Sequence, residues 1–146
     1  MIIANVGFRS KELLGLKVGE ISDGEGWDEK KKKTHIVMKV RKENSKTGKG
    51  RLCVAPVKER VQKVIKHYKE LGIKLDKTDY LFMNPTSKTR KNYGRMIMYN
   101  RLKQVFRESG LQDEFDKENK NVSLYSFRHQ YACWRLRFGD VPIHLL

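Results

Sequence analysis

Two cysteines, Cys53 and Cys133, cannot staple a chain of 146 residues, so a hydrophobic core must hold it together. Both are expected to be reduced and buried. Their separation fits no zinc-binding spacing and the four histidines are scattered, so no metal or other cofactor is expected. No run of about 18 apolar residues exists, which excludes a membrane-spanning helix. The start, Met-Ile-Ile-Ala-Asn, lacks the charged region and long apolar stretch of a signal peptide. No internal repeat or linker divides the chain, and residues 1–146 read as a single domain. Acidic residues are also scarce. Seventeen Asp and Glu stand against 32 Lys and Arg, a net charge of +15. That excess points to a polyanionic partner, nucleic acid first and an anionic membrane surface second. The Phe/Tyr-rich runs and Gly-x-x-Gly clamps of common RNA-binding modules are missing.

What is present is a well-punctuated chain, 38% hydrophobic. The first residues are apolar and read as the end of a helix whose beginning is absent. Ser10–Leu16 reads as a short helix capped by Ser10, with Glu12 in its first turn. Val18–Ile21 reads as extended, and residues 23–33 as a turn and a solvated lysine run in which Trp27 packs locally. His35–Val40 alternates, with Ile36, Met38 and Val40 on one face. Turn residues over 44–50 lead into a returning strand, Arg51–Ala55, completing a β-hairpin that a third strand can join. After Pro56 a helix runs from Val57 to Leu71, with Val57, Val61, Val64, Ile65, Tyr68 and Leu71 inward and Gly72 as its stop. His67 lies off that face. Tyr80–Met83 is a short apolar run before a turn, and residues 86–95 form a basic loop. Lys88, Arg90, Lys91 and Arg95 in that loop either contact a DNA backbone or are simply solvated. A helix then runs to Ser109 with Met98, Leu102, Val105 and Phe106 inward, stopped by Gly110. Residues 112–121 carry an acidic patch expected to face away from DNA. Residues 123–136 read as one helix, capped by Ser126, striped by Phe127, Tyr131 and Trp134, and ended by Gly139. Pro142 starts a last one. The class is mainly α with a small antiparallel β-sheet.

Two arginines stand out. Arg128 falls in the first turn of its helix, where the dipole is already positive and a cation is unfavourable unless an anion intervenes. Arg9, far away in sequence, stands immediately before the Ser10 cap. Each alone fits a solvated arginine, but two at helix N-termini can converge on one anion.

The surrounding residues carry a resemblance. Gly7, Arg9, Glu12, Leu13 and Leu16 fit a box Gly-x-Arg-x-x-Glu-Leu-x-x-Leu, Lys46 stands in a hairpin turn, and Arg128-His129 fit the second half of a His-x-x-Arg-His box. In this order they resemble the catalytic domain of tyrosine recombinases of the phage-integrase family, from Gly7 to the end of the chain. The resemblance implies an integrase-like catalytic core of DNA breaking-rejoining enzymes, with double-stranded DNA as partner and self-association on DNA in the full-length protein. It also implies site-specific integration or excision of a mobile element, in a bacterial or phage-encoded cytoplasmic protein. Cleavage in that family leaves a 3′-phosphotyrosyl link and a free 5′-hydroxyl. By resemblance Arg9 and Arg128 bind the scissile phosphate, and Lys46, five residues before Arg51, protonates the leaving oxygen, with Lys49 as its rival. Glu12 and His129 are supporting residues. Tyr125 departs from the family's histidine. Its phenol, with an ordinary pKa of ~10, can donate to phosphate but is a poor base. His144 has no motif support. The family's later Leu-Gly-His-type box and nucleophilic tyrosine are not found, nor is the DNA-clamping domain in front, so a partial catalytic domain is expected. The alternative is a non-catalytic DNA-binding fragment or regulator derived from a recombinase.

Overall fold

A computed structural model of the chain describes residues 2–138. Gly139, Pro142 and His144 lie outside the described residues. The centre of the fold is the strand β2 (Ile36–Val40), whose Ile36, Met38 and Val40 are buried while Lys39 points to solvent. Strict alternation of this kind gives a half-buried strand. Strand β1 (Ile21–Ser22) and strand β3 (Arg51–Ala55) pair with β2 antiparallel on its two sides, placing Met38 opposite both Ile21 and Cys53. The inner face of this three-stranded sheet packs on two short helices, α1 (Ile3–Val6) and α2 (Ser10–Leu14). Phe8, Met38 and Leu81 are completely enclosed there. Each such burial contributes roughly 1.5–3 kcal/mol relative to exposure.

Among the described residues five more helices follow: α3 (Glu29–Thr34), α4 (Lys58–Glu70), α5 (Arg95–Glu108), α6 (Leu111–Lys117) and α7 (Leu124–Phe138). Among the described residues no helix is long and apolar enough to cross a membrane. Gly72 and Gly110 adopt the left-handed conformation at the ends of α4 and α5, as their sequence positions predict.

Several local expectations change. Val18–Glu20 is a 3₁₀ turn, and only Ile21–Ser22 is extended, because the Glu20 carboxylate accepts from the Lys17 backbone N–H at 2.8 Å and closes the turn. The lysine run is helical. Asp28 caps α3 by accepting from Lys31 N at 2.7 Å, and its lysines sit near the C-terminus, where the dipole favours cations. Trp27 packs over Gly24, beneath Lys31 Nζ and edge-on to His35. The acidic stretch contains helix α6, pinned by an edge-to-face contact of Phe106 with Phe115, ring centroids 5.3 Å apart.

The apolar stripes are narrower than the sequence implies. On α4 only Val61 and Tyr68 are buried, with Val57 just ahead, while Ile65 and Leu71 are exposed. On α5 Leu102 and Phe106 point inward and Val105 does not. On α7 Leu124 and Phe127 pack on the core, whereas Trp134 is 53% exposed. The cysteines are both free thiols, but neither is buried: Cys53 is half-buried and Cys133 exposed. Ser123, not Ser126, stands at the start of α7. Its Oγ accepts from Tyr125 N at 3.2 Å, and Ser126 Oγ accepts from Ser123 N at 3.0 Å. The two serines form a reciprocal cap in which Ser126 fills the role usually given to Glu or Gln.

Candidate phosphate-binding site

The site begins with a glycine. Gly7 ends α1 in the left-handed conformation, φ +64°, and turns the chain so that α2 can start three residues later. Arg9, rather than Ser10, occupies the cap position of α2. An arginine has no acceptor to offer, so the cap is made in reverse: Glu12 Oε2 accepts from Arg9 N at 2.7 Å. Glu12 Oε1 then takes Arg9 Nη1 at 3.2 Å, and Oε2 takes Arg51 Nη2 at 2.9 Å. The Glu12 side chain is fully enclosed, and its two oxygens accept from two guanidinium groups and a backbone donor.

Arg128 arrives from the other end of the sequence on α7. Its Nη1 donates to the carbonyl oxygen of Gly7. One turn on, the Tyr131 ring packs against Gly7, in the space a Cβ there would fill. Gly7 thus joins α1, α2 and α7 at one point. Burial lowers the Arg128 pKa, and the charge of Arg9 lowers it further; Glu12 and Tyr125 oppose this, while Arg51 adds to it. Arg128 remains a cation, but one with less compensating charge than its surroundings supply of its own sign.

Between β3 and α7 runs a cleft of about 310 Å³, lined by Arg51, Arg128 and Arg135 together with Gly7, Cys53 and Tyr131. Arg51 and Arg135 were not singled out by sequence. Neither stands in a motif: Arg51 is set apart by its pairing with Glu12 across the fold, and Arg135 by its place in the cleft.

The hairpin that carries the lysines is anchored at its base. Arg41 Nη2 and Asn44 Nδ2 both donate to Gly15 O, at 2.9 and 3.1 Å, and Arg41 Nε meets Glu20 Oε1 at 2.6 Å. Lys11 Nζ reaches Glu43 O at 2.8 Å. The two bonds to Gly15 O satisfy a carbonyl left open at the end of α2, and with the Lys11 bond they fix the hairpin to the helix that carries Glu12. Lys46 and Lys49 stand beyond this anchor on the exposed turn.

The remaining candidates divide by position. Tyr125 is 57% exposed and meets His129, also exposed, edge-on at 4.6 Å. Lys88, Lys91 and Arg95 are exposed on the loop and at the start of α5. Arg90 has a protein partner: its Nη1 pairs with the buried Asp79 Oδ2 at 2.6 Å, which holds its guanidinium against the loop after α4.

No protein-family model matches the chain, and no curated protein matches it. Solved structures that resemble it include two complexes of one recombinase. One is XerH site-specific recombinase bound to difH substrate in a pre-cleavage complex, with TM-score 0.65 and 19% identity over 95% of this chain and 34% of that one. The other is XerH bound to palindromic difH substrate in a post-cleavage complex, with TM-score 0.65 and 18% identity over 99% of this chain and 38% of that one. The chain therefore spans little more than a third of the length of either. Identity at this level speaks to architecture: the mainly α chain with its three-stranded antiparallel sheet shares its fold with part of these recombinase structures.

Proposed function

We propose that this chain binds duplex DNA and holds one backbone phosphate between Arg9 and Arg128, as the phosphate-handling part of a site-specific recombinase. The observation that carries this reading is the meeting of those two arginines, 119 positions apart in the sequence, at the turn between α1 and α2, where Arg9 pairs with the enclosed Glu12 carboxylate and Arg128 donates to Gly7 O two residues before Arg9. Arginine suits the task because its planar fork makes paired bonds to phosphate oxygens and keeps its proton. In strand cleavage, negative charge grows on the non-bridging oxygens in the transition state, and cations fixed in advance lower that barrier. Lys46 supplies the proton to the leaving 5′-oxygen, with Lys49 as the alternative donor. Tyr125 donates a hydrogen bond to the phosphate, and His129 supports it from one turn on. The reaction is cleavage and rejoining through a 3′-phosphotyrosyl link, serving integration or excision, with copies of the full-length protein assembling on DNA. A second reading, DNA occupancy without cleavage, is favoured by Tyr131, the one tyrosine after Arg128, whose ring is committed to Gly7.

Duplex binding tests both readings. If about five phosphates are neutralised, log K falls against log salt with a slope near −4 to −5. A filter-binding titration with the 146-residue chain measures it. A flat salt response refutes DNA binding in either form.

A further inference from the structure

We propose that Arg51 is a third phosphate ligand of this site, so that the hairpin and the arginine pair grip the same phosphate. The inference rests on the reading just given and extends it to a residue outside the family boxes. Four observations support it. Arg51 and Arg128 both line the cleft between β3 and α7. One Nη2 donor of Arg51 is committed to Glu12, yet the side chain keeps 40% of its exposure, which leaves further N–H donors open. Its guanidinium stands 5.7 Å from the centre of the enclosed Phe8 ring, and with the Glu12 bond this fixes its plane. Last, the charges do not balance: Glu12 is one negative group facing Arg9, Arg51 and Arg128. An anion in the cleft offsets that excess, and a phosphodiester carries one negative charge.

The position also couples two parts of the site. Arg51 opens β3 directly after the lysine turn, opposite Val40 in the last pair of the hairpin. A phosphate held by Arg51 would thus draw the turn carrying Lys46 and Lys49 to a set distance from Arg9 and Arg128. The rival explanation is that Arg51 merely clamps Glu12.

The experiment separates them. Arg51→Gln keeps an amide donor for Glu12 but removes the charge, and Arg51→Lys keeps the charge but loses the fork. Duplex binding is titrated against salt for both, for wild type, and for Lys66→Gln, an exposed charge on α4 paired with Glu70. With a phosphate contact, Arg51→Gln makes the slope less negative by about 0.9, since one fewer counterion is released. Arg51→Lys keeps the wild-type slope, as does Lys66→Gln. A wild-type slope in Arg51→Gln overturns the proposal, even if its melting temperature falls. Equal slope changes in Arg51→Gln and Lys66→Gln overturn it too, since net charge alone would then explain them. A flat wild-type titration refutes the DNA reading itself, whereas a steep wild-type slope unmoved by Arg51→Gln removes only Arg51.

Discussion

Gly7 meets two demands at once, and they can be measured apart. Its backbone is left-handed, φ +64°, and its missing Cβ makes room for the Tyr131 ring. Gly7→Ala is expected to cost about 2–3 kcal/mol, of which roughly 1 kcal/mol is backbone strain and the rest is the displaced ring. Combining it with Tyr131→Ala should give less than the sum of the two single losses, because the clash then has no partner. Urea melts of the four proteins check this, and strict additivity would show that the ring simply moves aside. Glu12 is the other residue on which the site turns. Glu12→Ala strands Arg9 N, Arg9 Nη1 and Arg51 Nη2. The expected loss is about 2–3 kcal/mol, since the two arginines are partly solvated and recover some hydration. A thermal melt should fall by roughly 5–10 °C. Both Gly7 and Glu12 are visible in the sequence because they stand in one short box. Arg51 is not, since its distinction is a contact 39 positions away.

At the level of elements, what could be read in advance was periodicity, and what could not was the depth of burial. The alternation in β2 and the stops at Gly72 and Gly110 follow from local chemistry. The stripe on α4 was read too wide, because six apolar residues at helical spacing do not say how far the neighbouring layer extends. The lysine run reads as a solvated loop because such runs usually are one, and it is helical here because Asp28 caps it. Tyr68 shows how α4 is nonetheless secured. Its hydroxyl donates to Met83 O at 2.6 Å, tying the helix to the segment that leads into the basic loop. Tyr68→Phe should cost about 1–2 kcal/mol, because the carbonyl loses its buried donor. Burial, with the nearby Tyr93, raises the Tyr68 pKa. The folded state therefore holds this proton after the unfolded state has released it, and stability falls as pH rises through the ordinary phenol range near ~10. In Tyr68→Phe that part of the alkaline loss is absent, so the gap between the two proteins narrows with rising pH. A gap that stays constant from neutral to alkaline pH would place the phenol in solvent.

For the whole molecule, the question is whether the chain can attack the phosphate it is proposed to hold. A net charge of +15 favours a polyanionic partner but supplies no attacking group. All six tyrosines fall within the described residues, and their surroundings differ. Tyr68 is buried and donates to Met83 O. Tyr80 lies under Lys17 and Tyr99 under Lys103, and Tyr93 is half-buried. Tyr131 is held against Gly7, and burial raises its pKa, which disfavours the phenolate an attack requires. Tyr125 alone is exposed, edge-on to His129, and is the residue proposed above to donate to the phosphate. The 146-residue chain is therefore expected to form no covalent DNA adduct. The measurement is a labelled suicide duplex, nicked beside the scissile phosphate, followed by denaturing electrophoresis. A retarded band that disappears in Tyr125→Phe would make Tyr125 the nucleophile and His129 its natural base. A band that survives Tyr125→Phe and disappears in Tyr131→Phe would mean that α7 turns away from Gly7 when DNA enters the cleft.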